Sequence, residues 1–119
     1  MKIRLPYPPT VNTYYTIARG RKILSRRGRD YKKKVQARLQ ELILTGKITS
    51  FEDQKLSVAI ACHAPDKRKR DLDNILKPVL DACQGWIFDD DSQIENLFVK
   101  RMAQKAYGFI IIEINPIIN

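Results

Sequence analysis

Aspartates are concentrated in one part of a chain that is otherwise strongly basic. Seven of the thirteen acidic residues lie between Asp66 and Asp91, and all seven are aspartate. The formal net charge is +9, so these carboxylates belong to a surface that attracts polyanions such as nucleic acids. Acids within a phosphate-binding surface are explained when a divalent cation lies between carboxylate and phosphate. The pattern therefore predicts metal-assisted chemistry on phosphate groups.

Three aspartates are the candidate ligands of a hard cation such as Mg²⁺, which prefers oxygen donors. Asp71 and Asp73 are two positions apart, so they project to the same side in an extended segment. Inside a helix they would not face each other, and the pair therefore requires Asp71 to precede the first helical turn. The third acid comes from Asp89–Asp91, where Asp91 follows the apolar segment 86–88, which is predicted to end a strand.

Each of these residues also has a purely structural interpretation. Asp71 could cap the helix that follows it, and Asp73 could complement that helix's dipole. Asp89–Asp91 could be a solvated turn. Lys77 stands four residues after Asp73, which is the spacing of an ordinary helical ion pair; in a catalytic site it would stabilise charge on the phosphate or orient the attacking water.

Two basic segments accompany the acids. Four consecutive cations, Lys67–Arg70, stand directly before Asp71, and a second basic run extends from Arg19 to Lys34. Such segments attract a phosphate backbone electrostatically. The alternatives are a solvated loop at Lys67–Arg70 and a generally basic protein without a nucleic-acid role.

Hydrophobic periodicity and turn residues predict several strands and two main helices in one domain over residues 1–119. Pro78 should kink the second helix or delay its start, which would move Lys77 relative to the aspartates. Ser25 and Gly46 suit the two ends of the first helix. The predicted strands are 2–6, 14–17, 22–24, 55–64, 93–103 and 107–114, and the predicted helices are 26–45 and a segment between Asp71 and Gly85.

The remaining candidate nucleophiles and ligands are few. Cys62, Cys83 and His63 cannot form a Cys/His zinc site without added carboxylates. Neighbours Cys62 and His63 would point to opposite faces of a strand, so both cysteines are predicted to be buried structural thiols. No apolar stretch approaches the roughly 20 residues that span a bilayer, and the first residues lack a signal-peptide core; a cytoplasmic protein is expected.

Three sequence blocks occur together in this chain. They are Pro65–Asn74 with Lys77, Asp90–Ile94, and Leu5–Asn12 with Tyr14 and Tyr15. In this combination they resemble the RusA-type Holliday-junction resolvases, a family of small phage and bacterial endonucleases. The similarity covers nearly the whole chain, and the blocks occur in the family's order in a chain of the family's size.

The resemblance implies a RusA-like mixed α/β (α+β) fold, with a mixed sheet packed against two main helices. It also implies a homodimer that cuts opposing strands of a four-way DNA junction by symmetric hydrolysis. It places Mg²⁺, with Mn²⁺ as an expected substitute, on Asp71, Asp73 and Asp91; Asp90 is the rival third ligand. Lys77 is the cation that completes the catalytic set. The DNA-contacting residues that it implies are Asn12, Tyr15, Arg19, Arg21, Lys22, Arg26, Arg27, Lys67, Arg68, Lys69 and Arg70.

Two other functions remain open at this level. The chain could be a non-catalytic branched-DNA-binding protein whose acids are helix caps, or a flap or general structure-selective nuclease. A phage, a prophage or a bacterium is the expected source. The isoleucine-rich strand 107–114 could belong to the core or to a dimer interface, and burial statistics favour the core.

Overall fold

A computed structural model describes residues 1–118 of the chain. It contains a four-stranded mixed sheet and a separate two-stranded hairpin. Short 3₁₀ turns cover Leu72–Ile75 and Asp91–Gln93. The strands and helices in chain order are β1 (Lys2–Pro6), α1 (Val11–Tyr14), β2 (Tyr15–Ala18), β3 (Arg21–Leu24), α2 (Arg26–Leu44), β4 (Leu56–His63), α3 (Leu76–Cys83), β5 (Ile94–Arg101) and β6 (Phe109–Pro116).

The sheet has the strand order β1-β6-β4-β5. Strand β6 pairs antiparallel with both β1 and β4, whereas β4 and β5 run parallel. Alternate residues of β4, from Leu56 to Cys62, are buried, as the alternating pattern predicted. Ile110, Ile112 and Ile114 of β6 are fully buried in the same core, so the prediction that this strand belongs to the core is confirmed. The mixed α+β fold is confirmed as well.

Helix α2 begins and ends at the predicted signals. The Ser25 hydroxyl accepts a hydrogen bond from the backbone N–H of Gly28 at 3.0 Å, which satisfies one free donor of the first turn. At the other end Gly46 has a φ of +73°. Its N–H donates to Ile43 O, and that of Lys47 to Leu42 O, which is the Schellman arrangement. No helix in the part of the chain described here is long and apolar enough to cross a membrane.

The second helix starts late, as the position of Pro78 required. Asp71 is extended, with φ −82° and ψ 133°, and a 3₁₀ turn follows before α3 begins at Leu76. Pro78 is therefore the third residue of α3, where a backbone N–H has no partner within the helix. The condition that Asp71 precede the first helical turn is met.

The prediction that segment 86–88 ends a strand is wrong. Helix α3 ends at Cys83, Gln84 is extended, and the chain then turns at Gly85, with a φ of +86°, whose N–H donates to Phe88 O at 2.7 Å. Ile87 and Phe88 are fully buried in the core although they belong to a turn and not to a strand. Their burial explains why this segment is apolar. The predicted strands 93–103 and 107–114 are Ile94–Arg101 and Phe109–Pro116, and α1 was not predicted.

Candidate active site

Asp71 and Asp73 lie at the start of the 3₁₀ turn between β4 and α3. Both side chains are exposed. Asp71 occupies a capping position in the backbone, but its side chain makes no capping hydrogen bond. The interpretation of Asp71 as a side-chain cap is therefore wrong, and the carboxylate remains available to a ligand.

Asp91 and Lys77 meet across two elements. Lys77 Nζ lies 3.9 Å from Asp91 Oδ2, and both side chains are partly exposed. The helical spacing of Lys77 from Asp73 had indicated an ion pair with that residue instead. The structure thus connects the two sequence blocks of the resemblance through one cation–carboxylate contact.

Hydrogen bonds of neighbouring side chains distinguish Asp90 from Asp91. The Asp90 carboxylate accepts a hydrogen bond from Ser92 Oγ at 2.7 Å, and this bond lowers the pKa of Asp90. Asp91 instead faces Lys77. Because the Asp90 carboxylate already accepts a hydrogen bond within its own turn, Asp91 is favoured as the third candidate ligand.

Gln93 holds this turn in place, a role that sequence reasoning missed. Its Oε1 accepts hydrogen bonds from the N–H groups of Asp89 and Asp90, at 2.9 and 2.7 Å. Its Nε2 donates to the carbonyls of Glu52 and Gln54, both at 2.7 Å. One amide therefore fastens the acidic turn to the loop before β4. Its place in the Asp90–Ile94 block was the available signal.

The three candidate ligands are not gathered within one copy of the chain. Among residues 1–118 no group of three or more acidic, histidine or cysteine side chains forms a metal-binding cluster. Arg101 Nη2 donates to Arg70 O at 2.7 Å, so the segment that leads into Asp71 lies at the C-terminal end of β5. Asp91 leads into the N-terminal end of the same strand. The donors are hard oxygens suited to Mg²⁺, and Lys77, four residues after Asp73, contacts Asp91.

The basic segment before Asp71 is internally braced. Asp66 pairs with Arg70 Nη1 at 2.8 Å and with Arg68 Nη2 at 3.1 Å. The hydrogen bond from Arg70, followed by those from Arg68, holds the pKa of the Asp66 carboxyl well below its usual range. The Arg70 side chain is only 17% exposed, whereas Lys67, Arg68 and Lys69 are exposed. Arg70 therefore shapes the segment, and its neighbours present their charge to solvent.

The other predicted DNA-contacting residues lie on or beside the β2–β3 hairpin. Lys22 Nζ lies 4.4 Å from the centre of the Tyr15 ring, a cation–π contact. Ser25 N–H donates to Tyr14 O at 2.9 Å and joins the hairpin to the start of α2. The exposed members of the set are Asn12, Arg19, Arg21, Lys22, Arg26 and Arg27.

The cysteines and the histidine have structural surroundings. Both thiols are free and buried, as predicted. Burial raises the pKa of the Cys62 thiol to about 11 and that of Cys83 to about 12, so both stay protonated near neutral pH. His63 Nδ1 lies 2.7 Å from Ala103 O, and its ring stacks on Phe109. These contacts give no support to a Cys–His nucleophile.

Comparison with known proteins shows the family to which the sequence belongs. A family model described as Endodeoxyribonuclease RusA matches residues 6–115. The crossover junction endodeoxyribonuclease rusA of Enterobacteria phage HK97 is 34% identical over 114 residues, which cover 95% of this chain and 92% of that protein. The protein of the same name from Escherichia coli strain K12 is 34% identical over 106 residues, which cover 87% and 85% of the two chains. The chain therefore belongs to the endodeoxyribonuclease RusA family.

Proposed function

We propose that the protein is a structure-selective endodeoxyribonuclease, one domain over residues 1–119, that resolves four-way DNA junctions by paired, symmetric hydrolysis. One observation carries the proposal in a chain of this family. The exposed carboxylate of Asp71 makes no capping hydrogen bond, and it directly follows the basic segment Lys67–Arg70, which is held by ion pairs to Asp66. The relatives named above are crossover junction endodeoxyribonucleases of phages and bacteria. The proposed place of action is accordingly the bacterial cytoplasm, with a phage, prophage or bacterial genome as the source.

The carboxylates of Asp71, Asp73 and Asp91 would hold Mg²⁺, or Mn²⁺ in its place, because their hard oxygens suit these ions. Held by these carboxylates, the ion would supply Lewis-acid chemistry at the scissile phosphate and would favour deprotonation of the attacking water. Lys77, beside Asp91, stabilises negative charge that develops on the phosphate. The exposed cations around Arg19–Arg27 and Lys67–Lys69 hold the DNA arms through their phosphates.

The proposed homodimer forms through β5. This strand is an edge of the sheet, so one row of its backbone donors and acceptors is open to pairing with a second strand. Leu97 is 39% exposed and Phe98 is 68% exposed, which places apolar surface on that edge. Glu95 lies near one end of β5 and Arg101 at the other. A second copy in antiparallel orientation therefore brings opposite charges together.

The antiparallel arrangement also bears on the scattered ligands. Arg70, next to Asp71, accepts a hydrogen bond from Arg101 at the C-terminal end of β5, whereas Asp91 precedes the N-terminal end of β5 and contacts Lys77 of its own copy. In an antiparallel pair of β5 strands, the beginning of one strand adjoins the end of the other. Asp91 of one copy would then approach the Arg70–Asp71 segment beside Arg101 of the other. The proposed shared site combines Asp71 of one copy with Asp91 and Lys77 of the other, since Lys77 and Asp91 meet within one copy.

Phe98→Glu is expected to convert the dimer into a monomer. Two buried glutamates in the middle of the β5 pair would face each other or lose solvation, which prevents pairing. The measurement is sedimentation equilibrium, which should give a mass near the 13.8 kDa of one chain for the variant and twice that for the parent protein.

Leu44→Glu is the matched control for this substitution. Leu44 is 78% exposed at the end of α2, away from β5, so its replacement should leave the dimer intact. Circular dichroism of Phe98→Glu should match the parent protein because the side chain lies outside the core. A dimeric Phe98→Glu protein would contradict the β5 interface.

The test of the function is cleavage of a labelled four-way junction beside a linear duplex of the same sequence. With Mg²⁺ or Mn²⁺, the expected products are paired nicks at symmetric positions on the junction alone, and chelation should abolish them. Nicks without symmetry, or cuts in flapped substrates, would indicate a general structure-selective nuclease. Tight junction binding without cuts in either metal would leave a binding protein and refute the nuclease.

A further inference from the structure

We propose that Tyr107 is a stacking residue for an unpaired base at the junction crossover, and that the groove beside it holds the adjoining phosphates. The proposal rests on the proposed function, since it names a subsite for that substrate. It is carried by three features: the backbone conformation of Tyr107, the rigid attachment of its turn, and the composition of the groove.

Tyr107 is exposed to solvent and has an unfavourable backbone conformation. Its side chain is 97% exposed, so it contributes no packing to the core. Its φ is +67°, in the left-handed region that bulky residues avoid. The turn is closed by the N–H of Gly108, which donates to Lys105 O at 2.9 Å, so Tyr107 is the third residue of the turn. Glycine or asparagine is favoured there, and an exposed tyrosine in such strain indicates a functional role.

The turn is attached firmly to the segment that precedes the basic residues. Lys105 N–H donates to Ala64 O at 3.0 Å. Gly108 packs so closely that a Cβ atom on it would lie 2.8 Å from Pro65 Cδ and 2.9 Å from Pro65 N. Only glycine permits this approach. The Tyr107 ring therefore projects from a fixed backbone beside Asp66–Arg70, and little ordering entropy is lost when it contacts a ligand.

The groove beside Tyr107 has the composition of a single-stranded nucleic-acid site. Its volume is about 530 Å³, and its wall includes the rings of Tyr7 and Tyr107, on whose faces bases can stack. Four cations and the carboxylate of Asp30 line it. Two of these cations, Arg68 and Arg70, are paired with Asp66, and the remaining positive charge attracts phosphates. The lining cations are Arg27, Lys34, Arg68 and Arg70.

The groove leads toward the proposed catalytic segment. A second cavity of about 260 Å³ shares Tyr7, Arg68 and Arg70 with it and reaches Asp71. A strand whose scissile phosphate lies at Asp71 therefore passes Tyr107 a short way along. Bases in a continuous duplex are covered by their neighbours, whereas a base at a crossover can expose its face. Tyr107 thus favours branched over linear DNA.

The test compares Tyr107→Asn with Tyr107→Phe in the full chain. Binding to a labelled four-way junction and to a linear duplex is followed by fluorescence anisotropy in EDTA, so that no strand is cut. A junction with 2-aminopurine at the crossover reports stacking by its quenched emission. We expect Tyr107→Asn to weaken junction binding about 10-fold and to lose the quenching, because base–aromatic stacking is removed. Tyr107→Phe should behave like the parent protein, and duplex binding should not change.

Thermal unfolding separates this role from a structural one. Asparagine tolerates the left-handed region, so Tyr107→Asn is expected to raise the melting temperature while it weakens junction binding. A lower melting temperature, unchanged junction binding by Tyr107→Asn, or an equal loss in Tyr107→Phe would each overturn the proposal. If the parent protein binds as expected but does not cut with Mg²⁺, the nuclease function fails and the stacking role stands.

Discussion

Asp71→Asn is expected to reduce junction cleavage by at least about 100-fold while junction binding is retained. The substitution keeps the size of the side chain and removes the negative charge, so a proposed metal ligand is weakened at the reacting phosphate. Asp71 makes no capping hydrogen bond and is exposed, and the fold should therefore be unaffected. Single-turnover cleavage and anisotropy on the same labelled junction measure the two properties separately.

Glu41→Gln is the control for that substitution. Glu41 is also an exposed acid, but it lies near the end of α2, where it pairs with Arg38, and outside the loop that holds the acidic turn. The same change of charge there should leave cleavage at the level of the parent protein. Cleavage by Asp71→Asn at the parental rate would contradict the assignment. Stronger junction binding by Asp71→Asn, together with a parent protein that does not cut, would support the non-catalytic alternative.

A mixture of variants tests whether the site is shared between copies. Asp71→Asn and Asp91→Asn should each be inactive alone. If Asp71 of one copy works with Asp91 of the other, a mixed dimer has one site with both substitutions and one intact site. We expect mixing to restore nicking of single strands without paired cuts. No restored nicking, despite subunit exchange shown by fluorescence energy transfer, would place Asp71 and Asp91 of each site in the same copy.

Gly28→Ala is expected to destabilise the fold by about 3 kcal/mol, because overpacking at a rigid contact forces the backbone apart. A Cβ atom on Gly28 would overlap with the backbone carbonyl of Tyr14. That carbonyl already accepts a hydrogen bond from Ser25 N–H at 2.9 Å, and the buried Tyr14 hydroxyl donates to Asp81 at 2.6 Å. The contact cannot open without disturbing both. Urea denaturation followed by circular dichroism measures the free energy of unfolding.

Gly46→Ala provides the comparison for Gly28→Ala. A Cβ atom on Gly46 meets nothing within 4 Å, but its φ is +73°, so only backbone strain of about 1 kcal/mol is expected. A smaller loss for Gly28→Ala than for Gly46→Ala would contradict the packing argument. Gly28→Ala should also weaken DNA binding, because it displaces the hairpin that carries Arg21 and Lys22.

Local signals in the chain determined most of the secondary structure. The alternation from Leu56 to Cys62 predicted β4, and Ser25 and Gly46 predicted the ends of α2, because these features depend on hydrogen bonds and burial within a short segment. Pro78 likewise predicted the late start of α3. The apolar segment 86–88 was misassigned because the periodicity of a short buried segment does not distinguish a strand from a turn.

The sequence by itself also determined the candidate chemistry and the family, because these depend on residue types and spacing: aspartates within a basic surface, and blocks around Asp71 and Asp91. Only the tertiary structure decided which groups meet. Lys77 meets Asp91 rather than Asp73, and Ser92 donates to Asp90 rather than to Asp91. Tyr107 is exposed with a positive φ in a turn whose next residue, Gly108, packs closely against Pro65. Contacts between residues distant in sequence arise from the whole packed fold, and no local pattern encodes them.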